Sequence, residues 1–138
     1  MSPEIHLAKA ARFERTVTRL DPTDDFEAIM WAYMHVSTHW ANAVFHAKEL
    51  TDIEFDFEHT FYIDRSPDRE RILAGLDESI SPLLDILAIF EGLRTTYVRG
   101  SAPFGPEVLK RSQDALQRAR DITEDVFGPL AQQQEQKE

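Results

Sequence analysis

The stretch WAYMHVSTHWANAVFHAKEL, residues 31–50, decides the fold, because its apolar residues cover more than one side of a helix. At about 100° per residue, Val36, Trp40 and Ala43 share one face, whereas Met34 lies elsewhere around the circumference. Helices that are apolar on several sides are found inside a bundle rather than at its surface. We therefore expect a long central helix that ends near residue 50.

A polar stripe runs along the same predicted helix. It consists of His35, His39, Asn42 and His46, which fall within a wedge of roughly 60°. The stripe must face another helix or another subunit, and three roles are open to it: hydrogen bonding across a packing interface, a ligand-binding seam, or a metal or catalytic site. We expect the first, because no further ligand is fixed by spacing.

A metal ion on this stripe would need ligands from elsewhere in the chain. His35 and His39, spaced i and i+4, could share one ion, but about 16 Å of helix rise separates His35 from His46. We expect no metal and no other cofactor, and His35 and His39 are the candidate ligands if there is one. The additional ligands would have to be His6, Glu58 or His59.

Local signals place one helix before the central one. Ser2-Pro3-Glu4 combines a capping hydroxyl, a proline at the first helical position and an acid near the positive end of the helix dipole. Asp21-Pro22-Thr23 ends this helix. Asp24, with Glu27 three residues later, resembles a capping box that starts the central helix.

The segment after the central helix is harder to interpret. Residues 51–65 alternate apolar and acidic side chains with a strand-like period of two, but a single strand would have no partner in this chain. We predict an extended, partly buried connector. Ser66-Pro67-Asp68 then starts a helix that Ser81-Pro82 either kinks or restarts, and a strongly apolar helix continues to about Arg99.

The end of the chain completes an all-α architecture. A loop at residues 100–106 precedes the last helix, which Pro106 opens and Gly128-Pro129 stops. We predict one domain over residues 1–130, an up-and-down bundle of four or five helices, followed by a polar tail at 131–138. A chain of 138 residues is long enough to bury its own core.

Composition narrows the classes of function. The chain contains no cysteine, which excludes disulfides and thiolate chemistry. Its net charge of −10 argues against broad electrostatic binding to nucleic acid, although a local basic pocket stays open. No long apolar run is present near the N-terminus, so we expect a cytoplasmic protein without a membrane segment.

The stretch LRTTYVRG, residues 93–100, places Arg94 and Arg99 around Tyr97 at the end of the apolar helix. Together with WANAVFHAKEL, EHTFYI and the final helix, it resembles the HEPN family of small helical bundles. The resemblance extends from the second predicted helix to the end of the last one. It implies a HEPN-like bundle that forms a homodimer.

Many HEPN proteins are metal-independent ribonucleases whose motif is an arginine, four to six residues, and then a histidine. In this chain Arg99 stands where that histidine would be. Arginine keeps its proton under ordinary conditions and cannot act as a general base, so we expect no ribonuclease activity of that kind. We expect Arg94 and Arg99 to form surface or interface ion pairs with the plentiful acids, with phosphate or nucleotide binding as the alternative.

The preferred hypothesis is a non-catalytic HEPN-like binding module, dimeric and associated with a nucleotide or RNA. The resemblance also implies a nucleotidyltransferase or a toxin–antitoxin protein as partner. The alternative is a hydrolytic or metal-binding enzyme that uses the histidine stripe. The candidate ligand or interface residues are His35, His39, Asn42, His46, His59, Arg94, Tyr97 and Arg99.

Overall fold

The computed structural model describes residues 1–58 and 63–130, and within them helices are joined by turns without any strand. The α-helices are α1 (Pro3–Val17), α2 (Phe26–Ala47), α3 (Arg69–Gly75), α4 (Pro82–Leu93) and α5 (Pro106–Phe127). Arg94–Arg99 continue α4 as a π-helical turn. The prediction of an all-α bundle is confirmed.

Helix α2 lies at the centre of the bundle, as its distribution of apolar residues predicts. It packs against α1, α4, α5 and the π-helical turn. Val36, Trp40 and Val44 are completely or almost completely buried, and they join Phe26 and Phe90 in a continuous core. The polar stripe of α2 is therefore held in a fixed place by apolar contacts on its other sides.

The first capping prediction is confirmed and the second is wrong. Ser2 Oγ accepts a hydrogen bond from the backbone N–H three residues on, at 3.3 Å. Helix α2 begins one residue later than a capping box at Asp24 would require, and its N-cap residue, Asp25, makes no side-chain capping bond. The Asp21 carboxylate instead accepts hydrogen bonds from the N–H groups of Thr23 and Asp24, each at 2.8 Å, because an aspartate before a turn can bond its own following backbone.

Ser81-Pro82 restarts a helix rather than kinking one, since α3 ends at Gly75 and α4 begins at Pro82. The α-helix predicted to reach Arg99 stops at Leu93, where the π-helical turn takes over. Helix α5 has the predicted bounds, and Gly128 ends it with a φ of 87°, a value that glycine adopts without strain.

Residues 51–58 contain a turn at 53–54 and no strand, and their acidic side chains are all exposed, while the apolar side chains are buried to different degrees. Phe57 is fully buried, whereas Ile53 is 51% exposed. The rest of the predicted connector between residues 59 and 62, including His59, lies outside the described residues, as does the predicted tail at 131–138. No helix in the described part of the chain combines the length and the apolarity needed to cross a bilayer.

Candidate functional site

A cavity of about 450 Å³ lies beside α2, between α1, the segment 51–58 and the π-helical turn. We call it the central pocket. Its polar wall brings together residues that are far apart in the sequence. Five of the predicted candidates line it: His35, His39, Asn42, Arg94 and Arg99. His6, Thr38, Asp56 and Glu58 also contribute to the lining.

The π-helical turn explains why both arginines reach this pocket. Residues five apart in an α-helix point roughly 140° away from each other. In a π-helix the hydrogen bonds run from residue i to residue i+5, as in the 3.0 Å bond from Gly100 N–H to Thr95 O. Residues five apart then point in much more similar directions than they do in an α-helix, and Arg94 and Arg99 both line the central pocket.

The two guanidinium groups have no carboxylate partner within ion-pairing distance among residues 1–58 and 63–130. Arg94 Nη1 approaches only a thioether, the Sδ of Met34, at 3.9 Å. The described residues therefore contain no surface ion pair of either arginine, and an ion pair across an interface stays a prediction. Arg94 is half-buried and Arg99 is exposed, and among the described residues neither guanidinium donates a hydrogen bond to a protein oxygen.

His35 lines the central pocket and contacts two aromatic rings. Its ring is stacked on Phe13 of α1, with centroids 5.1 Å apart and planes at 16°, and its centroid lies 4.3 Å from that of Trp31. Burial and the positive charge of Arg94 lower the pKa of His35 below its ordinary value. The imidazole is therefore neutral at pH 7, beside a permanent cation.

A chain of short hydrogen bonds links His39 to a carboxylate through His6. The Nδ1 atoms of His39 and His6 are 2.8 Å apart, and His6 Nε2 lies 2.8 Å from Asp56 Oδ1. Burial lowers the pKa of His39 to about 4, and burial also lowers that of His6 despite its contact with Asp56. With both rings neutral, His6 Nε2–H donates to Asp56 and its Nδ1 accepts from His39 Nδ1–H.

His46 approaches the same carboxylate from the other side. Its Nε2 is also 2.8 Å from Asp56 Oδ1, and its Nδ1 is 2.7 Å from the hydroxyl oxygen of Thr51. Burial acts to raise the pKa of Asp56, but the hydrogen bonds from His46 and His6 outweigh it and hold that pKa below its ordinary value. A single carboxylate oxygen thus joins α1, α2 and the segment that follows α2. The Met1 amino nitrogen lies 3.3 Å from the same carboxylate.

Asn42 fixes the segment that carries Asp56. Its side-chain oxygen accepts from Phe57 N–H at 3.0 Å, and its amide nitrogen donates to Phe57 O at 2.8 Å and to Thr38 O at 2.9 Å. Asn42 and Phe57 are both 1% exposed. One buried side chain therefore satisfies both backbone groups of a buried residue, as a neighbouring strand would do.

The polar stripe faces α1 and residues 51–58 of its own chain. His35 and His39, the pair predicted to share any metal, have ring centroids 6.5 Å apart, and both rings stack on Phe13. His46 does not line the central pocket. Tyr97 does not line this pocket, and its ring instead meets Phe26 edge-on at 6.2 Å.

The sequence did not identify His6 and Asp56 as central residues of the site. His6 was considered only as a helper ligand, and Asp56 was not singled out. Asp56 is one of several acids in the alternating stretch, and it lies fifty residues from His6 in the sequence. No local signal separates it from its neighbours. No family model matches the chain, and neither the curated proteins nor the solved structures contain a significant match to it.

Proposed function

We propose that the chain is a non-catalytic, HEPN-like helical binding module whose central pocket holds the phosphate group of a nucleotide. The observation that carries the proposal is the pair Arg94 and Arg99, which share one cavity without a carboxylate partner among the described residues. Guanidinium groups bind phosphate through paired, charge-assisted hydrogen bonds.

The size and charge of the molecule favour a small ligand over a long nucleic acid. A cavity of about 450 Å³ is within the range of small-molecule and cofactor sites. The net charge of −10 would repel an extended phosphate backbone, whereas the phosphate of a single nucleotide needs only one small positive region. Arg94 and Arg99 supply that region in a pocket that Asp56 and Glu58 also line. A free nucleotide therefore fits this chain better than RNA does.

The surroundings of the arginines suit the rest of a nucleotide. Trp31 does not line the central pocket itself, but it is 44% exposed and contacts His35, which does, so it offers an aromatic face on which a base can stack. The neutral imidazole of His35 can exchange hydrogen bonds with a sugar or base without adding charge. Since Arg99 cannot accept a proton, the same pocket supports binding rather than HEPN-type cleavage of RNA.

Titration calorimetry with ADP, in the presence of EDTA, tests this proposal. Arg94→Gln removes a charge-assisted contact, and we expect binding to weaken by about 10- to 100-fold. Arg118→Gln is the matched control, because Arg118 is exposed on α5 and does not line the central pocket. Quenching of Trp31 fluorescence should follow the same binding curve, since Trp40 is buried.

Two outcomes would refute the proposal. If wild-type protein shows no binding at millimolar ADP, or if Arg94→Gln binds as well as wild type, the arginine pair is not a phosphate site. If ADP or RNA is hydrolysed and the activity disappears in Arg94→Gln, the molecule is an enzyme and the hydrolytic alternative replaces the binding module. Light scattering after size exclusion tests the accompanying expectation of a homodimer.

A further inference from the structure

Where His6 and Asp56 line the central pocket, these two side chains and His46 each bring one potential ligand atom close together. These atoms are His6 Nε2, His46 Nε2 and a carboxylate oxygen of Asp56, all within 4.8 Å of one another. We propose that this trio, the His6–His46–Asp56 cluster, binds a divalent first-row transition metal ion, with Zn²⁺ as the best match. The proposal stands apart from nucleotide binding and uses none of the arginines.

The chemistry of the donor set points to this class of ion. Two imidazole nitrogens and one carboxylate oxygen form the ligand set of zinc hydrolases and of facial-triad iron sites. Harder ions such as Ca²⁺ and Mg²⁺ prefer oxygen ligands, and the chain has no cysteine to favour a softer site. Three protein ligands leave at least one further position on the ion for water or a ligand.

The surroundings hold the two rings in the orientation that a metal needs. In each ring the nitrogen remote from Asp56 already has its own partner. Nδ1 of His46 lies 2.7 Å from Thr51 Oγ1 and 3.3 Å from Thr51 O, and Nδ1 of His6 lies 2.8 Å from His39 Nδ1. Metal-binding histidines use their second nitrogen in this way, to fix the tautomer and the ring plane.

Metal binding requires only a shift of protons within this network. Each imidazole moves its proton from Nε2 to Nδ1, so that both Nε2 lone pairs face the ion. Thr51, through its hydroxyl or carbonyl oxygen, then accepts from His46. His39 moves its own proton from Nδ1 to Nε2, so that its Nδ1 accepts from His6. The hydrogen bonds that Asp56 now receives are replaced by one metal–oxygen bond.

The two histidines of the site are buried and therefore rigid, whereas the aspartate is partly exposed and gives access. The His6 and His46 side chains are 2% and 0% exposed, whereas the Asp56 side chain is 34% exposed. The ion would therefore enter on the Asp56 side, since Asp56 and His6 also line the central pocket. Because the ligands come from α1, α2 and the segment after α2, bound metal would also stabilise the contact between them.

The test uses metal-free protein and ZnCl₂. We expect calorimetry to show one Zn²⁺ per chain with micromolar or tighter affinity, together with a raised melting temperature. Asp56→Asn should weaken binding at least tenfold, and circular dichroism should show that it is folded. Glu54→Gln is the matched control, because it removes the same charge from the same segment, is exposed, and lies outside both the cluster and the central pocket, so it should bind like wild type.

A second measurement needs no variant. In wild-type protein, Zn²⁺ should shift the imidazole NMR signals of His6 and His46 far more than those of His35. The proposal is overturned by the absence of stoichiometric binding, by wild-type affinity in Asp56→Asn, by an equal loss in Glu54→Gln, or by Zn²⁺ shifts centred on His35. Because ADP binding is measured in EDTA, the failure of one site is distinguishable from failure of the other.

Discussion

Replacing Asn42 by alanine should separate the segment 51–58 from α2 and cost the protein a large part of its stability. The change removes three hydrogen bonds, of which two belong to the backbone of Phe57. Thr38 O keeps its helical partner, but Phe57 N–H and Phe57 O lose theirs inside the protein. Each unsatisfied buried group costs about 1–3 kcal/mol.

We therefore expect the free energy of unfolding of Asn42→Ala to fall by about 3 kcal/mol, after partial relaxation around the new space. For a chain of this size, that loss lowers the melting temperature by about 10 °C. Urea denaturation followed by circular dichroism measures the first quantity, and differential scanning calorimetry measures the second.

Two further variants show whether hydrogen bonds or volume cause the loss. Asn42→Asp keeps the volume but replaces the amide donor with an oxygen that faces Phe57 O, so it should be as destabilising as alanine. Gln117→Ala removes only an exposed i,i+4 hydrogen bond to Asp121 and should change stability by less than about 0.5 kcal/mol. If Asn42→Ala unfolds within about 1 kcal/mol of wild type, Asn42 does not hold Phe57 in the way described.

The remaining predictions concern glycines and pH. An alanine Cβ at Gly100 would lie 2.6 Å from Thr96 O, so Gly100→Ala should distort the π-helical turn, lower stability by about 1–3 kcal/mol and weaken ADP binding in the same calorimetric assay. Gly92→Ala places its methyl group in open space on α4 and should instead raise stability by about 0.5–1 kcal/mol. Gly128→Ala puts a side chain at a positive φ and should lower stability by about 1–2 kcal/mol without affecting ADP binding. Urea denaturation measures both changes. Folding lowers the pKa of His35 below its ordinary value of 6.5. As the pH falls through 6.5, the histidine of the unfolded chain therefore binds a proton before that of the folded protein does, and the free energy of unfolding should decrease. In His35→Gln, urea midpoints should decline less steeply between pH 7 and 5, and an equal decline would contradict this assignment.

Local sequence signals predicted the helices well because helix ends depend on neighbouring residues. Ser2, Pro106 and Gly128 act within one turn of their own position, and the structure confirms them. The apolar pattern around Trp40 predicted the central helix for the same reason, since burial on several sides is encoded in one continuous stretch.

The candidate site was only partly predictable because its contacts join distant segments. The stripe on α2 identified His39 and Asn42, but nothing in the sequence pairs His39 with His6 or Asn42 with Phe57. Asp56 meets two histidines, ten and fifty residues away, and that convergence exists only after the chain has folded.

The π-helical turn has a consequence for how binding motifs are compared between sequences. Arg94 and Arg99 are five residues apart and share one side because the hydrogen bonds between them run from i to i+5. An ordinary α-helical turn aligns residues four apart in the same manner. Two chains that differ by one inserted residue can therefore present the same pair of guanidinium groups, so the hydrogen-bond register, rather than the count of intervening residues, decides whether the two motifs are equivalent.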